Sequence, residues 1–438
     1  MARARKPETL IIGAGISGLA TARSLAEAGH RVTVLEARNR IGGRIFTTRS
    51  GSEVIEFGAE FVHGKPPELL ALLSEAKLKT YELRGAQLCH NAGQLTSCDT
   101  SIDDDLSILS NLESWSRPDI TFAEYLDRKR VPKKDRGRII GYVEGFNAAD
   151  HRIAGVAALG KQQKAEDAID GDTLLRLRNG YDQLPAFLAE KIRHTGGKIL
   201  FDTIVNRIVW RPGSVHIHTN SKGRLKVFTA PRSVITLPLG VLQSSSIAWS
   251  RLPADILTQA ARLQMGQVCR LTLECRARFW GTLRSQPFAA QRKKLSFLFS
   301  STTLPRTWWT PHPRRSNTIT AWAGGPTATP LLALTPEQLQ SLAAEQLAEI
   351  FSLNPTFVAQ QIVATHTHNW QQDPFTRGAY TYIPVDALDA VAKLTAPVES
   401  TLFFAGEHTD TTGHWGTVHG ALRSAHRVAA QILSTTPE

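Results

Sequence analysis

Apolar and polar positions along the chain fall into two rhythms. Thr9–Ile12 is a short apolar, partly β-branched run and predicts a buried strand. Leu19, Ala22, Leu25 and Ala26 then recur at helical spacing, Gly29 closes that helix, and Arg31–Leu35 alternates as a second strand ending at Glu36. Residues 86–190 read as helices and loops, with helices over Leu106–Trp115, Thr121–Lys129 and Asp135–Phe146, then one carrying Leu184, Phe187, Leu188 and Ile192 on one face. Residues 199–242 return to strands through Val205, Ile208, Val215 and Ile217, ending in Val234–Leu242. Arg251–Phe279 predicts a helix followed by a strand over Val268–Cys275. Thr303–Arg315 is Pro-rich with Trp308 and Trp309, and reads as a surface loop in preference to a cavity mouth. Pro336–Phe351 is an amphipathic helix. Leu402–Phe404 predicts a buried strand and Thr417–Leu433 the last helix.

Composition narrows the class. A chain of 438 residues with 42% hydrophobic and 21% charged residues can bury a large core and fits two domains. No apolar run approaches the ~20 residues of a membrane span. The basic start MARARKPE has no apolar core segment and cleavage site before the first strand, and reads as a frayed tail, with a twin-arginine or nuclear signal as the minor alternative. The net charge of +12 suits an anionic cofactor. The basic residues are spread, with short clusters such as Arg128–Arg138, so a solvated basic surface is favoured over an obligate nucleic-acid partner. Cys89, Cys98, Cys269 and Cys275 have no CxxC or metal spacing, which predicts buried free thiols and a cytoplasmic setting.

The chemistry concentrates in the first turn, Gly13-x-Gly15-x-x-Gly18. Gly13 permits the tight strand-to-helix turn, Gly15 lets a pyrophosphate approach the backbone, and Gly18 lets helix and strand pack closely. Ile16 and Ser17 open the helix, whose N-terminal N–H groups and dipole favour phosphate. Glu36 stands 18 residues after Gly18, placed to accept hydrogen bonds from a ribose. Strand, glycines, helix and terminal acid together predict dinucleotide binding. Beyond them, Ala37, Arg38 and the Gly42-Gly43-Arg44 run suggest a second backbone segment at the same phosphates, with Arg44 able to pair with them.

The stretch Leu10–Thr47 resembles the flavin-containing amine oxidase family, which includes monoamine, polyamine and L-amino-acid oxidases and flavin histone demethylases. The same opening occurs in phytoene desaturases and protoporphyrinogen oxidases, so it implies FAD without specifying an amine. The resemblance implies that Gly58, Ala59, Glu60 and Phe61 run beneath the flavin, and that His63 faces the substrate cavity. Its imidazole either hydrogen-bonds an amine or is a structural histidine. Val205 stands where the family contacts adenine through its backbone. Arg270 occupies the position of a family lysine tied to oxygen reactivity or imine hydrolysis. Arginine keeps the charge but not the ability to give up a proton, which puts fast reoxidation by oxygen in doubt. The second strong match runs from Trp370, at the cofactor, to Tyr382. Ala379 replaces the cysteine that monoamine oxidases bond to the flavin, implying noncovalent FAD, and Tyr380 matches one wall of an aromatic cage. Gly406 and Glu407 match the segment that reaches the ribityl chain. Trp415, Thr417 and Val418 open the last helix toward the flavin pyrimidine ring. Thr417 stands where monoamine oxidases have a second cage tyrosine, so the cage is half-built or Trp415 supplies the other wall. His408, His414 and His419 lie in this flavin context, and no metal is expected.

The expected fold is α/β: a Rossmann-like FAD-binding domain from residues 1–85, 190–250 and 395–438, interleaved with a mixed α+β substrate-binding domain from 86–189 and 251–394. The expected activity is hydride transfer from the α-carbon of an amine or amino acid to flavin N5, giving an imine, with no side chain an obligatory acid or base. The alternatives are a dehydrogenase passing electrons to another acceptor, a desaturase-like flavoprotein with a non-amine substrate, and a flavoprotein acting as a binding module.

Overall fold

The computed structural model describes residues 8–91, 93–98, 108–109, 112, 118–251, 253–282 and 288–435. Its first sheet is parallel and has five strands, in the order Lys198–Leu200, Arg31–Leu35, Glu8–Ile12, Arg232–Ile235 and Leu402–Phe404. The strands read as nearly continuous apolar runs because both faces are covered. Ile11, Val32, Val34, Val234 and Phe403 pack toward the helices Ile16–Glu27, Gln183–His194 and Val418–Ser434. Leu10, Ile12, Leu35, Ile235 and Phe404 pack the other way, against Val205, Ile208, Val215 and Ile217. These belong to a four-stranded sheet that includes Ile204–Arg211 and Ser214–Ser221.

The second large sheet has seven strands, in the order Ile362–Thr367, Val268–Cys275, Thr318–Gly324, Thr307–Trp309, Leu295–Ser300, Ala86–Asn91 and Gln94–Ser97. One face carries Cys269, Leu271, Leu273, Leu298, Trp308, Ile319 and Ala321 onto the helix Pro336–Phe351. Period-two alternation sends Arg270, Phe297, Trp309 and Trp322 to the opposite face. Arg270 is directly across from Trp322. A three-stranded sheet, with Leu174–Leu177 between Phe61–His63 and Thr80–Glu82, places Arg176 opposite Phe61 and Tyr81.

Four expectations need correction. Residues 86–190 are not only helices and loops, because Ala86–Asn91, Gln94–Ser97 and Leu174–Leu177 are strands whose partners lie in distant segments as well as in the adjacent hairpin. Thr303–Arg315 is not simply a surface loop: Thr307–Trp309 is an interior strand, with Trp308 wholly buried. The flanking prolines masked a run short enough for two tryptophans to occupy opposite faces. The strand predicted through Val234–Leu242 stops at Ile235, and Leu239–Leu242 is one helical turn after Pro238. Cys89 and Cys98 are not free thiols. They form a disulfide across the hairpin Ala86–Asn91/Gln94–Ser97, with Cα atoms 5.1 Å apart. Their spacing of nine residues does not disclose the hairpin that brings them together, and the thiol argument for a reducing compartment does not extend to this pair. Cys269 and Cys275 are free and buried. The helix predicted over 106–115 lies largely outside the described residues. Among the described residues no helix is long and apolar enough to cross a membrane.

Candidate active site

A single cavity of about 1270 Å³ is lined from both large sheets and the elements between them. At one end is the glycine turn. Gly13 has φ +104°, and a Cβ there would come within 2.8 Å of Thr236 Oγ1. A Cβ on Gly18 would lie 2.0 Å from the Gly13 carbonyl oxygen, so Gly18 serves packing and does not line the cavity. Gly15 caps the helix Ile16–Glu27, and a Cβ there would meet nothing within 4 Å, pointing instead into space a ligand can take. Gly43 (φ +59°) closes on it, since its Cβ would sit 3.3 Å from the Gly15 Cα. Gly42 is bridged to Gly15. Ile16, Ser17, Ala37 and Val205 line the same end.

Glu36 is buried. One carboxylate oxygen accepts from the Ala14 N–H at 2.7 Å and the other from the Arg38 N–H at 2.9 Å. Burial pushes its pKa up, against the pull of those two bonds. Each oxygen keeps a lone pair for a further donor. Arg38 pairs with Asp373 and lies over Phe375. Arg44 was expected to reach phosphate; its Nη1 donates to Glu407 Oε1 at 2.7 Å and to the Ala379 carbonyl at 2.9 Å. Glu407 also accepts from Thr381 and from the Gly416 N–H. Burial alone would raise its pKa, but Arg44 and these bonds hold it below the usual carboxylate range.

Gly58, Ala59, Glu60, Phe61 and Trp370 form one wall of the middle of the cavity. A Cβ on Gly58 would lie 1.9 Å from the Arg44 carbonyl oxygen, so only glycine allows that approach. Trp370 donates its indole N–H to the Phe57 carbonyl. The Glu60 carboxylate is enclosed: it pairs with Arg176 at 2.7 Å, pairs with Arg270, and accepts from the Trp309 indole at 3.2 Å. Burial works against its ionisation, but the two guanidiniums dominate and lower its pKa. Arg270 also donates to the Gly58 carbonyl at 2.9 Å.

At the far end, the Tyr380 hydroxyl donates to the Phe146 carbonyl at 2.7 Å, and burial raises its pKa. A Cβ on Gly416 would lie 2.7 Å from the Tyr380 ring, so the glycine lets that ring lie on backbone. His63 is edge-on to Phe146, and burial lowers its pKa to about 4, leaving it neutral. Trp415 lines the cavity but is pinned by its indole N–H to the Asp410 carbonyl. The Thr417 hydroxyl caps the last helix, accepting from the Gly420 N–H and donating to the His414 carbonyl. Gly406 and Val418 line the cavity beside them. Trp322 and Tyr380 pack on the same small cluster of Ala148, Val268 and Ala379.

The sequence reading missed Arg176, Trp309, Trp322, Phe146 and Glu166, all near or on this cavity. The alternation in Thr318–Gly324 opposite Val268–Cys275 carried the signal for Trp322, but only once the register is known.

A profile of the family described as flavin containing amine oxidoreductase matches residues 16–134 and 127–433. The chain is 25% identical over 461 residues to a lysine-specific histone demethylase 1 homolog 2 of Arabidopsis thaliana, covering 97% of this chain and 58% of that protein. It is 25% identical over 452 residues to polyamine oxidase 4 of Oryza sativa subsp. japonica, covering 96% and 87%. The chain thus spans little more than half the length of the histone demethylase homologs it matches. Among solved structures, a putrescine oxidase bound to putrescine superposes with a TM-score of 0.83 at 21% identity, covering 98% of this chain and 99% of that one. Cyclohexylamine oxidase from Brevibacterium oxydans IH-35A gives 0.81 at 21%, with 98% and 99% covered. These two likenesses establish the α/β fold.

Proposed function

Because the chain belongs to the flavin-containing amine oxidoreductase family, we propose that it binds FAD without a covalent bond and oxidises an amine. The observation that carries this is one continuous cavity. It joins a glycine-floored helix N-terminus and a buried acid at one end to Tyr380, Trp322 and a neutral His63 at the other. Its volume of about 1270 Å³ exceeds the range of about 300–1,000 Å³ usual for a small-molecule pocket, leaving room for a dinucleotide together with a substrate.

The residues fit the cofactor. Gly15, Ile16 and Ser17 offer N–H groups and a helix dipole to a pyrophosphate, and Gly15 leaves the space free of a Cβ. Glu36 has lone pairs for a ribose, and Glu407 for a polyol. The last helix, begun at Val418 and capped by Thr417, aims a positive dipole end into the cavity. When bound, FAD supplies the two-electron acceptor for a hydride from the amine α-carbon, and water hydrolyses the resulting imine. The protein's own part is placement. Tyr380 and Trp322 give an amine apolar walls, and His63, kept neutral, adds no cation to repel it. Residues 1–85, 190–250 and 395–438 are read as the cofactor domain, and the rest as the substrate domain.

A second reading, in which electrons go to an acceptor other than oxygen, is favoured by Arg270. Its guanidinium is committed to Glu60 and Gly58 in place of a lysine. One experiment addresses both. FAD-loaded protein is mixed anaerobically with a panel of amines, amino acids and non-amine alcohols, and flavin absorbance is followed. At least one amine should bleach it; bleaching by none of them refutes the amine reading. On admitting air, slow recovery of absorbance supports the second reading and fast recovery removes it.

A further inference from the structure

Away from the cavity, one part of the chain carries charge of a single sign. Between Asp202 and Asp255 there is no aspartate or glutamate, but there are seven lysines and arginines, more than half of the net charge of +12. This stretch builds the four-stranded sheet, in the order Arg224–Ala230, Ser214–Ser221, Ile204–Arg211 and Ala248–Trp249. One face holds Val205, Ile208, Val215 and Ile217 in the core. Alternation turns the intervening residues outward. The register sets these in two neighbouring rows, Ile204, Asn220 and Leu225, then Arg207, His218 and Val227.

Leu225 is 80% exposed, Val227 50% and Ile204 40%. A single exposed apolar side chain needs no explanation, but three neighbours on one face point to a partner. Leu225 follows directly on the hairpin turn, whose Lys222 and Gly223 both have positive φ, +51° and +83°, as a tight two-residue turn requires. Around these apolar residues Arg207, Arg211 and Arg224 are exposed and have no ion pair among the described residues. Lys226 lies over the Phe228 ring, and Lys222 pairs with Asp202.

Charge complementarity calls for an anionic partner, and the apolar rows select among such partners. Arg224–Ala230 is the open edge of the sheet, but pairing it antiparallel with a second copy would bring the cations Arg224 and Lys226 of both copies together, and edge lysines discourage such pairing. A nucleic-acid backbone would match the cations and leave Leu225 and Val227 in water. A bilayer with anionic headgroups meets both, with phosphates for the cations and the acyl boundary for the apolar side chains. We propose that the hairpin over residues 214–230 and the outer face of its sheet dock the protein reversibly on an anionic lipid surface. The proposal goes beyond the amine reading and does not depend on it. Ile204 also lines the cavity, and the Thr203 N–H donates to the Glu36 carbonyl, so the docked face adjoins the Glu36 end.

The test uses FAD-loaded full-length protein and vesicle flotation. The probes are vesicles of phosphatidylcholine alone and of phosphatidylcholine with about 30% phosphatidylglycerol. The wild type should bind the anionic vesicles at least about tenfold more tightly than the neutral ones, and added salt should weaken that binding. Arg224→Glu with Lys226→Glu should lower the partition coefficient at least about tenfold, and so, separately, should Leu225→Ser with Val227→Ser. All four positions are exposed, and circular dichroism with flavin absorbance checks that each variant is folded and loaded. Where a double variant fails that check, Lys226→Gln and Leu225→Ser replace it, each with a loss of about threefold. Equal binding to both vesicle types overturns the proposal. So does a Leu225→Ser, Val227→Ser variant that binds as the wild type does, since charge alone would then account for adsorption. Binding to a short DNA duplex in place of vesicles assigns the face to nucleic acid and overturns it. A dimer in sedimentation velocity that either variant abolishes, without vesicle binding, assigns the face to a second copy and overturns it as well.

Discussion

Replacing Glu60 by glutamine tests the buried charge cluster at the centre of the cavity wall. The Glu60 side chain is 2% exposed and those of Arg270 and Arg176 are 5% and 7% exposed, so water does little to screen them. Two guanidiniums share this one carboxylate. Glu60→Gln keeps the size and the Trp309 acceptor but leaves both cations unmatched. Removing one partner of a buried pair costs about 3–5 kcal/mol. For 438 residues the entropy of unfolding is roughly 0.9 kcal/mol/K, so Tm should fall by about 3–5 °C. Arg270→Met should cost less, because it leaves Arg176 and Glu60 as a matched pair. In that background Glu60→Gln should also cost less than in the wild type, since only one cation is then stranded.

The pH dependence has a definite sign. The arginines depress the Glu60 pKa in the folded state. Its stabilisation is therefore complete above the unfolded value near 4.5 and is lost as pH falls through the lower folded value. The gap between wild type and Glu60→Gln should be widest near neutrality and narrow in acid. Thermal unfolding followed by far-UV circular dichroism, at several pH values and with FAD both present and removed, measures all of this. A Glu60→Gln Tm within a degree of wild type at neutral pH, or the same loss in the Arg270→Met background, would refute the reasoning.

Three further outcomes are expected. Acid precipitation should leave all flavin in the supernatant, because Ala379 offers no nucleophile where a thiol would be needed; yellow precipitated protein contradicts this. Glu36→Ala should weaken FAD binding by about 1.5–3 kcal/mol, as expected for a lost hydrogen bond to a charged group, and an unchanged dissociation constant in a fluorescence titration would confine Glu36 to bracing the turn. Glu56 has a pKa raised to about 7 by burial, outweighing its bonds from Thr47 and the Tyr181 N–H. Its raised folded pKa means that stability is lost as pH rises from about 4.5 through 7, on the order of 3 kcal/mol. Glu56→Gln should remove that slope, and parallel Tm-against-pH curves for the two proteins would count against it.

What the sequence disclosed depends on how local each determinant is. The glycine turn is legible because Gly13, Gly15 and Gly18 act within one strand, one turn and one helix, and the steric reasons for Gly13 and Gly18 are met within a few residues or at the neighbouring strand, while Gly15 leaves open space at the helix N-terminus. The helices Pro336–Phe351 and Val418–Ser434 are legible for the same reason, through a 3.6-residue stripe. The Glu60 cluster is not. Its members come from four segments brought together by a strand pairing between Phe61–His63 and Leu174–Leu177 and by the register of the seven-stranded sheet. Nothing near Arg176 marks it as a partner of Glu60, and the prolines around Trp309 hid its strand.

This difference in locality follows the chemistry of the two ends. A pyrophosphate is recognised by backbone N–H groups and a helix dipole, so its site is written in a short motif. The rest of the cavity is defined by charges whose meaning depends on what surrounds them. Arg44 is absorbed by Glu407, and Arg38 by Asp373. Glu60 leaves one cation in excess. Positive charge is therefore in excess beside Gly58 and Phe61. That imbalance is not visible in the net charge of +12, because it arises from which side chains are paired. An arginine at position 270 is thus more than a lysine substitute. It makes the buried cluster positive whatever the pH, because a guanidinium does not release its proton in the working range. A lysine in the same apolar wall could lose its proton and leave Glu60 matched to Arg176 alone.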